Sequence, residues 1–394
     1  MYLNALQRLV SFALMQTITD TFQSLSTLQL SVVLIFLVSL FIHLFYYFFF
    51  FIRLMLHKPK DGEGKPEPVS VIICAWNEED NLKKNLQSIL EQDYPDFEVI
   101  VVNDHSLDET DLLLQAWQVK YTHLRVINLS RENARIRGKK FAISMGIKGA
   151  KHENLVFTDA DCRPKSKYWL KEMSNGFSDE KQLVLGYGGF EKMSGIFNKL
   201  YRYESVHIAM QYMSYALARM PYMGVGRNLA YKKDLFFKTK GFIKHRHVAS
   251  GDDDLMVNEV ATGSNTGIAL IKESHTVSTP PQNMASWWLQ KRRHLSTGGY
   301  YRFSSKLFLG VFTLTHLLFY LSFFGVLSIE TMYWLALCGI GLKWIVHLSI
   351  IRVVTRTLEE HDLFLFSLLG DLFTPFFNTA VAISNRLKPP IKWR

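Results

Sequence analysis

The chain has 394 residues, which is long enough for one sizeable soluble domain together with several membrane helices. Its formal net charge is +10, and 14% of its residues are aromatic, with most of the 29 Phe near the two ends. The soluble part lacks the basic stripe with stacking aromatics that nucleic-acid binding requires. We therefore attribute the charge to basic flanks of membrane helices, which attract anionic lipid headgroups. The three cysteines, Cys74, Cys162 and Cys338, have no spacing typical of a disulfide framework or a zinc site.

The N-terminal region contains a predicted membrane helix at residues 30–52. This stretch has no Asp, Glu, Lys or Arg, and about 20 apolar residues are enough to cross the hydrocarbon of a bilayer. Its apolar core is too long for a signal peptide, and no small-residue cleavage site follows. We expect residues 1–58 to form an N-terminal segment with a retained anchor, followed by a polar Pro/Gly linker at residues 59–68.

From Val69 onward the pattern alternates between strands and helices. Strands are predicted at residues 69–75, 98–103, 124–129 and 154–158, with helices at residues 80–92, 108–120 and 139–150. Short, continuous apolar strands between helices indicate a parallel sheet covered on both faces, which predicts a Rossmann-like nucleotide-binding half. The second half is mixed, with apolar runs at residues 183–185 and 267–271 and a predicted amphipathic segment at residues 201–220.

Polar side chains follow three of the predicted strands. Asn77 and Glu78 come after the first strand, Asp104 after the second, and Asp159 and Asp161 after the fourth. Ligands bind at this edge of a parallel sheet. Asp159 and Asp161 could be turn residues with Asx hydrogen bonds, but their position favours a divalent cation, Mg²⁺ or Mn²⁺. Its other ligands would be water and diphosphate oxygens.

Asp104 and Lys139 are candidate nucleotide contacts. A carboxylate such as Asp104 can bond a nucleoside base or ribose, or it can cap the helix that follows. Lys139 can pair with phosphate or base, or it can be a solvated lysine at a helix start. The residues alone leave both alternatives open for each side chain.

An acidic triplet, Asp252, Asp253 and Asp254, follows Gly251 and opens a predicted helix. Negative charge at a helix N-terminus is favoured by the helix dipole, which is the structural explanation. Crowded carboxylates also raise at least one pKa, which suits a general base near neutral pH. We expect Asp252 or Asp253 to be the base, and the spacing does not choose between them.

A basic segment, residues 290–294, ends a predicted helix just before the second apolar stretch. A membrane-surface belt of aromatic and basic residues accounts for Trp287, Lys291 and Arg292. It does not account for the remaining three polar residues, which share one helix face and could point into the site: Gln290, Arg293 and His294.

The C-terminal part, residues 301–394, is predicted to hold membrane or interfacial helices. Residues 307–329 form an apolar span, and residues 331–351 form another that is interrupted by Lys343. Residues 363–385 contain Asp371 and Pro375, and basic residues that flank the helices favour the cytoplasmic side. Because a full fourth span would put the last basic group outside, we favour a re-entrant or surface-lying segment there.

These motifs resemble the family 2 glycosyltransferases of GT-A fold, in the membrane-bound branch that includes polysaccharide synthases and, more distantly, ceramide glucosyltransferases. The resemblance covers about residues 68–300, which we expect to be a cytoplasmic catalytic domain. The family's elements have counterparts here: an opening strand that ends at Asn77-Glu78, a nucleoside-binding element at Asn103-Asp104-His105-Ser106, a Gly-Lys element at Gly138-Lys139, and a metal-binding Asp-x-Asp at Asp159-Ala160-Asp161.

Two later motifs also correspond, with departures. The acidic triplet stands where the family has the Glu-Asp pair that supplies the base, and Gly251 or Asp252 replaces the usual Glu. Residues 290–294 stand where the family has Gln-x-x-Arg-Trp, with His294 in place of Trp. In the processive synthases that Trp contacts the acceptor sugar, so the departure bears on the acceptor more than on the donor.

The resemblance implies an inverting, metal-dependent glycosyltransferase at the cell membrane. It would move a sugar from a nucleoside diphosphate, expected to be UDP, to a lipid or glycan acceptor, with Mg²⁺ or Mn²⁺ on Asp159 and Asp161. The implied donor-side residues are Asn77, Glu78, Asp104, Lys139, Gln290, Arg293 and His294, with Arg227 and Asn228 on the acceptor side. Two alternatives stay open, a processive polysaccharide synthase subunit and a nucleotide-sugar-binding membrane scaffold without turnover.

Overall fold

The computed structural model of the protein describes residues 23–58, 66–129, 138–248 and 250–387. The chain divides into two compact units. We call Phe49–Phe308 with Ile350–Arg394 the α/β unit, and Met1–Phe48 with Leu309–Ser349 the helical unit. Most of the predicted linker, residues 59–65, lies outside the described residues.

The described chain alternates strands and helices up to the fourth strand and is mixed after it. The strands are β1 Val69–Ala75, β2 Phe97–Asn103, β3 Leu124–Asn128, β4 Asn154–Phe157, β5 Cys162–Pro164, β6 Leu183–Gly186, β7 Gly188–Phe190, β8 Leu229–Lys232, β9 Thr266–Ala269 and β10 Thr276–Ser278. The helices are α1 Thr27–Tyr46, α2 Ile52–Leu56, α3 Glu79–Leu90, α4 Thr110–Lys120, α5 Lys139–Gly149, α6 Trp169–Ser174, α7 Ile196–Leu217, α8 Lys233–Lys238, α9 Asp254–Val260, α10 Met284–Leu295, α11 Phe303–Leu327, α12 Tyr333–Thr357 and α13 Phe366–Leu387. A π turn at Tyr47–Phe51 joins α1 to α2.

The central sheet has the order β3-β2-β1-β4-β8-β6-β9. Strands β1 to β4 are parallel, β8 is antiparallel to both of its neighbours, and β9 is parallel to β6. Because α3, α4 and α5 link the parallel strands, their carboxyl ends meet at one edge. A second sheet has the order β5-β10-β7. The predicted Rossmann-like half is confirmed, and its element ends shift by only one or two residues.

Alternate side chains of β1 pack on opposite faces of the sheet. Val71 and Ile73 belong to the apolar cluster that contains Leu82 and Leu86 of α3. On the other face, the Ile72 side chain lies against the backbone of α5 at Gly146. The continuous apolar run of β1 therefore reflects burial on both faces, as expected for a parallel strand.

Helix α7 differs from the prediction for residues 201–220. The segment is helical up to Leu217, but buried side chains surround the helix instead of forming one stripe. Tyr203, Met210 and Tyr212 are all nearly inaccessible to solvent. The prediction of an amphipathic segment is wrong because the Tyr and Met side chains of this helix are core residues on all of its sides.

Among the described residues, four helices have the length and apolar composition to cross a membrane. They are Thr27–Leu56, Phe303–Leu327, Tyr333–Thr357 and Phe366–Leu387. Lys343, which interrupts the third, is buried in the helical unit with its ammonium 3.3 Å from the Tyr320 hydroxyl and 4.8 Å from the centre of that ring. Charged side chains in apolar helices usually face the bundle interior in this way.

The last of these helices, α13, packs on α7 and α10 within the α/β unit. Asp371 and Pro375 lie on its buried face, whereas Leu369, Phe376 and Ile383 are exposed. The loop before it is held by Arg202 of α7, which donates hydrogen bonds to Glu360 at 2.9 Å and to Asp362 at 2.8 Å. The surface-lying or re-entrant placement of this segment stays a prediction.

Gly370→Ala tests the close approach of α13 to α7. A β-carbon at Gly370 would overlap the Tyr203 ring, which is buried and cannot easily move. We expect a destabilisation of about 1–3 kcal/mol from overpacking, despite the roughly 1 kcal/mol that alanine gains over glycine in a helix. Thermal unfolding in detergent measures it, with Gly299→Ala, where the added carbon meets nothing within 4 Å, as the control. An unchanged or raised midpoint for Gly370→Ala would contradict this packing.

Candidate active site

The turn after β1 is fastened to the loop after β2. Asn77 has a φ of 57°, and its Oδ1 accepts a hydrogen bond from the Leu107 backbone N–H at 2.7 Å. The backbone N–H of Asn77 donates to Ser106 Oγ at 2.9 Å, and that of Glu78 donates to Thr110 Oγ1 at 3.1 Å. The side chain of Asn77 is thus used to join two loops at the carboxyl edge of the sheet.

Asp104 is buried directly after β2. Its backbone N–H donates to the Ala75 carbonyl at 2.8 Å, and its Oδ1 lies 2.8 Å from His105 Nδ1. The first N–H of the following helix, that of Thr110, donates to Asp108 Oδ1 at 3.1 Å. The side chain that bonds the first residue of α4 is therefore that of Asp108 and not that of Asp104.

Asp159 and Asp161 lie together at the turn between β4 and β5. One candidate ligand atom from each of Asp159, Asp161 and Cys162 lies within 4.8 Å of the others. Burial raises the pKa of Asp161, and the neighbouring charge of Asp159 raises it further. Burial also raises the pKa of Glu78, and both aspartates add to that shift. A cation would relieve this repulsion, and carboxylate oxygens are the ligands that Mg²⁺ and Mn²⁺ prefer.

Lys139 joins the pair Asp159 and Asp161 to the acidic triplet. Its Nζ lies 2.7 Å from Asp159 Oδ1 and 3.1 Å from Asp252 Oδ2. Burial would lower the pKa of Lys139, but Asp159 and Asp252 outweigh it and raise that pKa above its ordinary value. Burial likewise acts to raise the pKa of Asp159, and the Lys139 charge overcomes it, so the pKa of Asp159 is lowered. The lysine stays charged and both carboxylates bind it.

Asp253 lies beside this ion pair, but its carboxylate is bound by backbone N–H groups and not by the Lys139 ammonium. Its Oδ2 accepts a hydrogen bond from the Gly226 N–H at 2.7 Å, and its Oδ1 accepts one from the Asp254 N–H at 2.8 Å. Burial, and then the charges of Asp252 and Asp254, raise the pKa of Asp253 to about 7. A carboxylate with that pKa can take up and release a proton near neutral pH.

Asp254 is turned away from the other two carboxylates. It is buried and accepts hydrogen bonds from the Tyr301 hydroxyl at 2.7 Å, from the Leu255 N–H at 2.7 Å and from the Thr297 hydroxyl. Burial raises its pKa. Its bonds fasten the start of α9 to the segment after α10, which is a structural role.

Two acidic groups far apart in sequence line one cleft. The cleft is formed by Ile72, Cys74, Lys139, Ile143, Phe157, Thr158, Asp159, Gly226, Leu229, Tyr231, Asp252 and Asp253. Its apolar wall comes from β1, β4, β8 and α5. Its charged groups are Lys139 at the start of α5, Asp159 after β4, and Asp252 and Asp253 before α9. Such an arrangement can hold a cation and a polyanion beside a group that accepts a proton.

Helix α10 presents two different faces. Trp287 and Lys291 are buried and bond Glu204, and Arg292 Nε donates to Asn385 Oδ1 at 3.0 Å, so a membrane-surface belt does not account for these residues. Arg293 is close enough to Asp159 to lower the pKa of that carboxylate.

His294 and Gln290 follow on the same helix. His294 keeps an exposed surface, yet the surrounding protein, and then the charges of Arg293 and Lys291, lower its pKa well below the ordinary value. The imidazole is therefore neutral near pH 7. Gln290 is half-buried one turn before His294.

The two predicted acceptor-side residues have different surroundings. Arg227 lies 4.3 Å above the Phe190 ring and donates to the Gly189 carbonyl, and its charge acts on both Asp159 and Asp161. Asn228 is fully buried. Its amide bonds three groups within the core: the Trp169 indole N–H at 3.0 Å, the Tyr187 carbonyl at 2.9 Å and the Ser274 carbonyl at 2.7 Å. An acceptor contact through Asn228 would require these bonds to open.

Sequence reasoning missed several contributors. Cys162 lies next to the carboxylate pair, with its Sγ 3.2 Å from Asp161 Oδ1, and its position directly after Asp161 was the available signal. The Gly226 N–H that bonds Asp253 and the Glu204 carboxylate that bonds α10 had no signal in the sequence, because both depend on tertiary proximity.

Comparison with known proteins assigns this arrangement to a class. A mannosyltransferase from Pyrobaculum calidifontis, solved in complex with GDP-Man and Mn²⁺, aligns over 88% of this chain and 99% of its own with a TM-score of 0.57 at 18% identity. The α/β unit is therefore a GT-A fold.

Sequence comparison narrows the class to a family. Residues 70–238 match the family described as Glycosyl transferase family 2. The probable glycosyltransferase YdaM of Bacillus subtilis is 25% identical over 235 residues, or 57% of this chain and 54% of that protein. A poly-beta-1,6-N-acetyl-D-glucosamine synthase of Staphylococcus epidermidis is 33% identical over 96 residues, or 24% of this chain and 22% of that protein. The match to the family 2 glycosyltransferase model over residues 70–238 agrees with the motifs. The chain spans about half the length of the first relative and about a fifth of the second.

Asn228→Ala tests the buried amide behind the site. Removing it leaves an indole N–H and two carbonyls without their partner, so we expect a loss of about 2–4 kcal/mol in unfolding free energy. Asn175→Ala removes a half-buried amide that bonds only the neighbouring Glu172 and should change stability by less than about 0.5 kcal/mol. Chemical denaturation compares the two, and equal effects would show that the Asn228 bonds contribute little.

Proposed function

We propose that the protein is an inverting glycosyltransferase that moves a sugar from a nucleoside diphosphate to an acceptor hydroxyl at the cytoplasmic face of the cell membrane. One observation carries the proposal. Lys139 contacts Asp159 of the metal-ligating pair and Asp252 of the acidic triplet within one cleft. A diphosphate-binding group and a proton acceptor are thereby brought to the same point, which single-displacement transfer requires.

The donor side is formed by the edge of the parallel sheet. Asp104, buried after β2, would form a hydrogen bond with the nucleoside. Lys139 would bind phosphate after its ion pair with Asp159 opens. Asn77 and Glu78 would support this edge through the bonds that join its two loops. We expect a UDP-linked sugar from the motif resemblance. The mannosyltransferase of similar fold was solved with GDP-Man, so GDP-linked sugars belong in the test.

A divalent metal fits between Asp159 and Asp161, where burial and the neighbouring charge of Asp159 raise the pKa of Asp161. Mg²⁺ or Mn²⁺ held there would neutralise diphosphate charge as the sugar leaves. Arg293, whose charge already acts on Asp159, would stabilise the same leaving group from α10. Gln290 and the neutral His294 lie on the same helix and would complete the donor side.

Asp253 is the proposed general base. Its pKa of about 7 allows it to take the acceptor proton at neutral pH, whereas Asp252 is bound to Lys139. Attack by the acceptor oxygen on the anomeric carbon, opposite the leaving diphosphate, inverts the configuration in one step. Arg227, above Phe190 and near both aspartates, would line the acceptor side.

The acceptor is proposed to be a lipid or a glycan at the membrane. The described part of the chain has four helices that are long and apolar enough to span a bilayer, and α13 has exposed apolar residues. Both features support a reaction next to lipid. A processive synthase that secretes its product is the second candidate, favoured by the similarity to a poly-beta-1,6-N-acetyl-D-glucosamine synthase. Product length separates the two, because single addition gives one product and processive addition gives a ladder.

Nucleotide release by the purified, detergent-solubilised protein tests the reaction. We expect release from one sugar in a panel of UDP- and GDP-sugars with Mn²⁺ or Mg²⁺, stimulated by membrane lipid extract and abolished by EDTA. Asp161→Asn should lower kcat by at least about a hundredfold, because a metal ligand is lost. Wild-type activity in that variant would refute the metal assignment, and no release from any sugar would favour the scaffold.

The pH profile tests the base. Because the ionised form of Asp253 is the active one, kcat/KM should fall about tenfold per pH unit below a midpoint near 7 and level off above it. Asp253→Asn should remove this limb. Asp252→Asn should keep it and move it to lower pH, because the Asp252 charge raises the pKa of Asp253. The reverse pattern would make Asp252 the base.

A further inference from the structure

One carboxylate outside the cleft fixes the helix that carries Arg293. Glu204 of α7 accepts a hydrogen bond from the Trp287 indole N–H at 2.7 Å and lies 2.5 Å from the Lys291 ammonium. The side chains of Glu204 and Lys291 are only 12% and 7% exposed. Trp287 and Lys291 are one helical turn apart, so a single carboxylate holds two successive turns of α10.

Arg293 projects from the other side of the same helix. At 100° per residue it lies roughly opposite the line through Trp287 and Lys291. The contacts of α10 with α7 therefore set the distance between Arg293 and Asp159, the carboxylate on which its charge acts.

Helix α13 supports α10 from a second direction. The Trp287 ring stacks on the Phe377 ring with centroids 4.2 Å apart. Arg292 Nε donates to Asn385 Oδ1 at 3.0 Å, and Asn385 Nδ2 donates to the Arg292 carbonyl at 2.8 Å. These contacts restrain rotation of α10 about its own axis. None of them involves the buried ammonium of Lys291, which is paired with Glu204.

We propose that Glu204 is a positioning residue that holds Arg293 against the leaving diphosphate, acting through Trp287 and Lys291. The inference rests on the proposed function of Arg293. A buried carboxylate with a buried lysine fixes geometry strongly, because either charge left alone is costly. Displacement of a catalytic group by about 1 Å can cost a hundredfold in rate. Without the Glu204 charge, the Lys291 ammonium would move towards solvent. This movement would rotate α10 and carry Arg293 away from the leaving diphosphate.

A double-mutant cycle between Glu204 and Arg293 tests the proposal. Glu204→Gln should lower kcat about tenfold with donor KM changed less than about twofold, and it should weaken Mn²⁺-dependent UDP or GDP binding more than binding of the matching monophosphate. Because Glu204 acts through Arg293, Glu204→Gln should add nothing to Arg293→Ala. Multiplicative losses in the double variant would show a merely structural role and overturn the proposal.

Two further measurements keep the test independent of folding and of the reaction. Glu191→Gln removes the same charge from exposed pairs with Lys84 and Arg163, and it should leave kcat and nucleotide affinity unchanged. Hydrogen exchange at residues 290–297 should be faster in Glu204→Gln than in the wild type, and unchanged exchange overturns the positioning role whatever the substrate is. Failure of the proposed function is seen separately, as a wild-type protein that binds no nucleoside diphosphate.

Discussion

The ion pairs of Lys139 are the interaction on which the site depends. Its ammonium contacts Asp159, which follows the fourth strand, and Asp252, which precedes α9. Without a cation between them, the acidic turns at this sheet edge would repel one another in a partly buried cleft. Burial is the main cause of the raised pKa of Asp161 and of Asp253, and the neighbouring charges of Asp159 and Asp252 raise them further. The half-buried charge of Lys139 thus lowers the pKa of Asp159, whereas the pKa values of Asp161 and Asp253 are raised.

The rest of the α/β unit arranges rigid supports around this pair. Hydrogen bonds through Asn77 join the loops after β1 and β2, and buried Asn228 connects three parts of the core beneath Arg227. Helix α10 is fixed on one side by Glu204 and by α13, and it carries Arg293 on the other. Helix α13 also exposes apolar residues that would meet lipid. The same helix therefore supports α10, which would bind diphosphate, and offers a surface to the membrane.

The first half of the fold was predictable because its rules are local. Buried parallel strands need continuous apolar runs, and the helices between them need polar starts, so β1 to β4 were found within one or two residues. The second half was not predictable in this way. Helix α7 is surrounded by core, so its Tyr and Met residues carry no stripe from which a surface could be recognised. The basic segment of α10 was ambiguous for the same reason, since Lys291 looks like a lipid-facing charge until its buried partner Glu204 is known.

The sequence by itself determined the parallel half of the sheet, the apolar helices, the resemblance to a family, and the residue types that can bind metal and accept a proton. These follow from periodicity and from short motifs whose residues are close along the chain. Only the tertiary structure decided that Asp254 is turned into the protein, that Asp253 has a pKa of about 7, and that Lys139 joins two distant acidic turns. Those properties depend on burial and on the distances between charges of segments that are remote in sequence. Neither quantity can be inferred from short stretches of sequence.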